Sequence, residues 1–459
     1  MRLPTRLTTG GVLLLLSTVL SAAASTAAPA VEPEGPASDG LIVEFRPGTD
    51  GDPSRTDLPE IEGIRLSVAV PMANDRVLVR TQPADLSRAT RDDVIRRLAA
   101  DHRVVSVEPN LRIAAPNSED PYYSYQWDLH EDTAGMRVPE AWDQGARGAG
   151  VTVAVLDTGI TKHPDLDGNV VGGYDFLSNA AAARDGDGRD ANPADEGDWT
   201  TFGQCEKSRP GRPSTWHGTH VAGTVAAVGD NSVGVTGVAP QARLVPVRVL
   251  GACGGTVADI SDAIVWASGG PVPGVPANPN PARVLNLSLG GTNACPRAYS
   301  AALKSATGRG ATVVIAAGND NQPASRATPA NCGGNTIVVA ALNRAGGKAG
   351  YSNYGETVDI AAPGGDTENA AADGILSTWN QGQTTLGDAG YGYMEGTSMA
   401  APHVAGLAAL LLGLDGTLAP DDLKSVIQLT ARALPGDCPD GCGTGLADAG
   451  AAVRFLLTT

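Results

Sequence analysis

An α/β fold with a doubly wound, mostly parallel sheet is predicted for residues 122–459, and three observations predict it. Apolar runs recur at residues 151–156, 244–249, 284–288, 312–316 and 336–340. Each has the continuous hydrophobicity of a strand buried on both faces. Helix-patterned stretches follow or separate them at 217–228, 257–267, 298–307, 398–412 and 420–431. Strands alternating with helices are the pattern of a parallel sheet covered on both sides. Composition agrees, because aromatics are only 4% while Gly counts 58 and Pro 32. The core must then be built from Ala, Val, Leu and Ile, with many tight turns.

The front of the chain reads differently. Arg2 and Arg6 precede an apolar run at 11–20, and small residues continue to Ala30. This is the layout of a secretory leader, with cleavage after Ala24 or Ala28. The run is about half of the ~20 residues that a membrane span needs. A secreted, extracellular protein without membrane association is therefore expected after processing. Residues 29–39 are rich in Pro and Glu and read as a linker. Strands are expected at 41–45, 64–70, 76–80 and 104–107, the last stopped by Pro109, with a helix at 92–100. This unit holds no cysteine and is small enough to be marginally stable. Residues 114–120 are polar and read as an exposed junction. The expected division is 1–28, 29–116 and 117–459.

A formal net charge of -17 argues against a nucleic-acid partner, because phosphate binding needs a basic surface. The six cysteines are Cys205, Cys253, Cys295, Cys332, Cys438 and Cys442. An even number in an exported chain suggests disulfides. Residues 177–216 and 269–283 are irregular. Within the first, Asp185, Asp187, Asp190, Asp195 and Asp198 cluster with Gly186 and Gly188. Hard carboxylate oxygens on such a loop suit calcium, although the spacing is not that of an EF-hand. A solvated acidic loop explains the same residues.

Four residues stand where chemistry needs them. Asp157, in Val-Leu-Asp157-Thr-Gly, ends a buried strand at the edge where α/β sites form. Alone it reads as a capping carboxylate, or as one half of an aspartic-protease pair that has no second Asp-Thr-Gly here. His217 opens His217-Gly-Thr-His220-Val-Ala-Gly-Thr. No Glu lies between the histidines as in His-Glu-x-x-His, so a zinc site is a poor reading, and His220 is expected to be a satisfied core residue. Ser398, in Gly-Thr-Ser398-Met-Ala-Ala-Pro402-His, opens a helix whose free N–H groups and positive end favour developing negative charge. Pro402 is placed in the first turn, where a missing N–H costs little. By itself Ser398 is an N-cap serine. Asn319 ends Ala-Ala-Gly-Asn319-Asp after another strand and, taken singly, is a turn residue.

Together, Asp157, His217 and Ser398 run in the chain order Asp, His, Ser, which is the subtilisin order. The stretches Val-Ala-Val-Leu-Asp157-Thr-Gly, His217-Gly-Thr-His-Val-Ala-Gly-Thr, Leu-Asn286-Leu-Ser-Leu-Gly-Gly, Ala-Ala-Gly-Asn319-Asp and Gly-Thr-Ser398-Met-Ala-Ala-Pro-His-Val-Ala-Gly resemble the subtilase family over most of residues 122–452. The resemblance implies a subtilisin-like peptidase domain behind a small α+β, ferredoxin-like propeptide. It implies a serine endopeptidase with Ser398 as nucleophile, His217 as acid–base and Asp157 as its orienter. Asn319 and the Ser398 N–H would form the oxyanion hole.

Ser288, Leu289, Gly290 and Gly291, with Ala316, Ala317 and Gly318, look like the strands flanking the primary specificity pocket. Gly254 and Gly255 look like a strip that pairs with extended substrate. The resemblance pairs Cys205 with Cys253 and Cys295 with Cys332, and closeness in sequence pairs Cys438 with Cys442. It raises the expectation of structural calcium. No redox or nucleotide cofactor is implied, and a monomer is expected.

Expected partners are protein and peptide substrates, and the chain's own propeptide as an intramolecular inhibitor. Residues 110–116 of that segment would lie in the cleft before self-cleavage. Residues 177–216 lengthen the Asp157–His217 interval beyond that of minimal subtilisins, and no specificity transfers across them. The propeptide's first helix, expected in 52–62, is poorly formed in sequence. A catalytically dead relative that only holds peptides is the binding-class rival, although all four positions carry competent residue types.

Overall fold

The computed structural model describes residues 38–46, 58, 60–72, 76–83, 86, 88–111 and 118–458. The leader, the linker up to residue 37, most of 52–62 and residues 112–117 of the junction lie outside the described residues. The chain divides into two compact units, Met1–Ala115 and Pro116–Thr459.

In the first unit, β1 (Ser38–Phe45), β2 (Arg65–Met72), β3 (Arg76–Gln82) and β4 (Val104–Leu111) form an antiparallel sheet in the order β2-β3-β1-β4. Helix α1 (Arg88–Ala99) covers it, burying Val94 and Leu98 four residues apart on one face. The core is small, with Leu41, Val43, Phe45, Val77 and Val79 at its centre. β4 does not stop at Pro109 as expected. Pro109 pairs with Leu41, and β4 is an edge strand, where a missing N–H breaks no second ladder.

In the second unit the elements run α2 (Trp127–His130), α3 (Val138–Asp143), β5 (Thr152–Asp157), β6 (Tyr174–Asp175), α4 (Ala180–Ala183), α5 (His217–Ala226), β7 (Arg243–Arg248), α6 (Val257–Ala267) and β8 (Val284–Leu287). Then follow β9 (Gly291–Thr292), α7 (Arg297–Gly308), β10 (Thr312–Ala316), β11 (Ala327–Thr328), β12 (Thr336–Leu342), β13 (Ile360–Pro363), β14 (Ile375–Asn380), β15 (Ala389–Met394), α8 (Thr397–Leu414), α9 (Pro420–Leu429) and α10 (Ala449–Thr458). Seven strands make one parallel sheet in the order β13-β12-β10-β8-β5-β7-β6. Every residue of β8, β10 and β12 is buried, so helices must cover both faces.

The strand order reverses at β5, which lies between β7 and β8. That reversal is the switch point where α/β sheets open a crevice. Helix α8 is apolar and long enough to cross a bilayer, but 83% of it is buried, and it packs against β8, β10, β12 and β13 as the core helix. Disulfides join Cys205 to Cys253, Cys295 to Cys332 and Cys438 to Cys442.

Candidate active site

Asp157 is the last residue of β5 and is fully buried. Its Oδ1 accepts from the Thr158 N–H at 2.8 Å and lies 2.7 Å from His217 Nδ1. A carboxylate on Nδ1 leaves the other ring nitrogen, Nε2, to face the cleft as the proton acceptor. His217 opens α5 directly after Trp216, which holds a left-handed turn (φ 52°) and is anchored through its indole N–H to the Gly382 carbonyl at 2.6 Å. The approach of α5 to β5 requires glycine at 218, because a Cβ there would sit 2.2 Å from the Gly159 carbonyl oxygen. Burial disfavours the charged imidazole. Asp157, and behind it Asp198 and Asp195, outweigh that effect and hold His217 above the usual imidazole range.

Ser398 is the second residue of α8. Its hydroxyl donates to the Ser288 carbonyl at 3.2 Å, and the Ser288 hydroxyl donates back to the Ser398 carbonyl at 2.7 Å. The second bond explains Pro402. The expected first-turn placement is corrected, because α8 begins at Thr397 and Pro402 falls in the second turn. A helix proline strips the carbonyl four residues earlier of its partner. That carbonyl belongs to Ser398, and Ser288 supplies the missing donor.

Asn319 is locked by Thr397, whose N–H and hydroxyl both donate to Asn319 Oδ1, at 2.9 and 2.8 Å. This orientation leaves the Asn319 amide NH2 to face the cleft. A Cβ built on Gly396 would lie 3.4 Å from Asn319 Nδ2 and 3.5 Å from the Ser398 N. Gly396 therefore keeps open the space between two converging donors, the geometry an oxyanion needs.

One cleft of about 1040 Å³ is lined by His217, Ser398 and Asn319. The strips around Gly254, Gly255, Ser288, Leu289, Gly290, Gly291, Ala316 and Gly318 line it too. Ala317 does not. Its side chain is buried in the core, and its N–H donates to Val339 O at 3.0 Å. Successive residues of a strand face opposite ways, so Ala316 and Gly318 cannot bring Ala317 with them. The pairing of β9 with β11 shapes the wall beside Gly291.

Other residues support the site without a sequence signal. Thr158 Oγ1 donates to Asp195 Oδ2 at 2.6 Å and accepts from the Gly218 N–H at 3.0 Å, joining the two segments that carry Asp157 and His217. Burial pushes Asp195 up to about 7, against the hydrogen bonds it accepts from the Thr158 hydroxyl and the Gly197 N–H. Buried Asn353 accepts from the N–H groups of Asp320 and Gln322 and donates to Ala317 O, which shapes the turn bearing Asn319. His220 is buried, with Nε2 at 3.0 Å from both the Ile375 and Gly392 carbonyls, and burial pushes it down to about 3. It is a neutral core donor.

Of the acidic loop, Asp185, Asp187 and Asp190 bring one carboxylate oxygen each within 4.8 Å of one another. Asp195 and Asp198 are not with them. Asp195 binds Thr158 and the Gly197 N–H, and Asp198 binds Arg212 and Thr215.

A parallel sheet with an aspartate at its switch point, a histidine opening one helix and a serine opening another across the cleft defines the subtilisin-like class. The chain belongs to the subtilase family, whose pattern it matches over residues 148–447. It is 52% identical over 384 residues to the extracellular protease of Xanthomonas campestris pv. campestris, covering 83% of this chain. It is 47% identical over 352 residues to the extracellular basic protease of Dichelobacter nodosus, covering 75% of this chain. This chain spans 64% and 56% of those two relatives' lengths. A solved structure of a protease from Pseudoalteromonas arctica superposes with a TM-score of 0.72 at 49% identity, covering 74% of this chain and 99% of that one.

Proposed function

We propose that this chain is a secreted serine endopeptidase made as a zymogen, with residues 1–28 as leader, 29–116 as inhibitory propeptide and 117–459 as peptidase. The observation that carries the reading is the 2.7 Å contact between Asp157 and His217 in a cleft shared with Ser398 and the oriented amide of Asn319. Ser398 Oγ rotates off the Ser288 carbonyl toward His217 and attacks the substrate carbonyl carbon as Nε2 takes its proton. The oxyanion meets the Ser398 N–H and Asn319 Nδ2. Collapse breaks the C–N bond, and His217 returns the proton to the leaving amine. Water, deprotonated by His217, then cleaves the acyl ester and restores the Ser398 hydroxyl.

The test is casein turnover with a phosphonylating serine reagent. Loss of turnover should match a mass increment on the peptide carrying Ser398, and pepstatin should have no effect. Undiminished turnover after complete labelling would refute the assignment. Inhibition by pepstatin would favour an aspartic mechanism, and binding without turnover would favour a dead relative.

The chemistry of Asp185, Asp187 and Asp190 fits a calcium ion. Three hard oxygens converge, and Asp187 is raised above its usual range by the little burial it has and by its neighbours Asp190 and Asp185, a repulsion that a cation would relieve. Arg248 already offsets part of the charge on Asp185, at 3.0 Å. Bound calcium would brace the loop leading to Asp195. At a hundredfold excess over Kd, one such ion stabilises the fold by about 2.7 kcal/mol. Chelator should therefore lower the thermal midpoint of the wild type, and Asp187→Asn should abolish that response. A midpoint indifferent to chelator would refute the site.

A further inference from the structure

The lengthened stretch between Asp157 and His217 places a cation on the cleft wall. The backbones of Thr200 and Arg212 pair at 2.9 and 3.0 Å, which brings Arg212 to the cleft. Asp198 beneath it is buried, and its oxygens are already supplied with donors. They accept from the Thr215 N–H at 2.6 Å, the Thr215 hydroxyl at 3.1 Å and Arg212 Nη2 at 2.8 Å. The Arg212 side chain is 47% exposed, and among the described residues its Nε and Nη1 have no partner. Asp198 thus holds one guanidinium nitrogen of a half-exposed side chain that lines the cleft, and two further nitrogens remain available as donors. The Cys205–Cys253 disulfide ties the same stretch to the strip at Gly254, so this wall does not swing freely.

Position along the cleft decides which substrate side chain meets it. All of these residues line one cleft, within which Arg212 is tied through Asp198 to Thr215, two residues before His217, whereas Ser288 is bonded to Ser398 and Gly318 directly precedes Asn319. Side chains of an extended peptide alternate between opposite faces. If the residue before the scissile bond fills the pocket at Ser288 and Gly318, its N-terminal neighbour turns toward the His217 wall.

We propose that Arg212 is a specificity-determining residue that favours Glu or Asp at the second position N-terminal to the scissile bond. The inference deepens the endopeptidase reading and rests on it. The chain's charge of -17 disfavours acidic substrates at long range, but that field is screened beyond about 8 Å at physiological salt, within which Arg212 acts. Asp320, the other acidic residue that lines the cleft beside Asp198, is engaged by Thr292 and Gln322.

The test compares kcat/KM for peptides identical except for Glu, Ala or Lys at that position. Wild type should prefer Glu over Lys by about fivefold or more, the range of a half-exposed ion pair together with the repulsion it reverses. The preference should shrink as NaCl is raised. Arg212→Gln should bring the ratio near one, and Arg212→Lys should keep its direction. Each ratio is taken within one preparation, so partial misfolding of a variant cancels. A wild-type ratio at or below one, or a preference surviving in Arg212→Gln, would overturn the proposal. Cleavage of none of the peptides by the wild type would overturn the endopeptidase reading, and the subsite with it.

Discussion

Ser398→Ala and His217→Ala are each expected to reduce casein turnover by about 10⁶-fold, the scale of triad loss in subtilisin itself. Ser398→Ala removes the proposed nucleophile, and His217→Ala removes the imidazole that sits 2.7 Å from Asp157. Asp157→Ala should cost somewhat less, because part of the imidazole still populates the tautomer whose free Nε2 can take the Ser398 proton, although no carboxylate now fixes it there. Asn319→Ala should lower kcat by about 10²–10³ with little change in KM, since its amide meets charge that exists only in the transition state. The Ser398 and Asn319 variants should keep their fold. Ser398 loses only a 3.2 Å hydrogen bond to Ser288, and Asn319 is a surface turn residue apart from its bonds to Thr397. Steady-state kinetics with circular dichroism on the same samples checks both points. Wild-type turnover in Ser398→Ala would end the mechanism.

The second large effect is on maturation. Ser398→Ala should be exported as a proform that has lost its leader but is otherwise uncut. Wild type should lose roughly 9 kDa more, the mass of residues 29–116 at this chain's mean residue mass. The cut is expected between Arg112 and Asp120. Under the proposed self-processing the junction is cut within its own chain, so cleavage should be first order and independent of protein concentration. The first unit has a small apolar core and no cysteine, whereas the second carries all three disulfides. Once severed, the first unit should therefore unfold and be digested. Intact-mass spectrometry of secreted wild type and Ser398→Ala reads the result directly. Fully active wild type that still carries residues 40–110 covalently attached would show this account of activation to be wrong.

Much of the fold was legible because its signals are local. The stretches 151–156 and 312–316 are Val, Ile, Leu and Ala apart from one Thr each, an apolar continuity without a polar face, and they became β5 and β10. The helices carrying His217 and Ser398 were legible from their runs of small residues, although α8 starts at Thr397, so Ser398 is its second residue and not its N-cap, and no side chain caps the start of either helix. Elements with no period to read were missed. α2 and α3 have 4 and 6 residues, too few for a helical repeat, and β14 and β15 are held by their pairing with each other and by α5 rather than by apolar content.

The sequence by itself determined the candidate residues for the chemistry. Aspartate, histidine and serine stand in a given order, each at the end of a recognisable element, and a motif of adjacent residues is enough to find them. Only the tertiary structure decided how they are held. Thr158 meets Asp195 across 37 residues, Thr397 meets Asn319 across 78, and Ser288 meets the Ser398 carbonyl across 110. It likewise decided that Ala317 faces the core while its neighbours line the cleft, and that Arg212 reaches the cleft wall on top of Asp198. The physical reason is that periodicity and caps are properties of consecutive residues. The partner of a buried hydroxyl, carbonyl or guanidinium is instead set by which loops the closed sheet brings within about 3 Å, and no spacing along the chain records that distance.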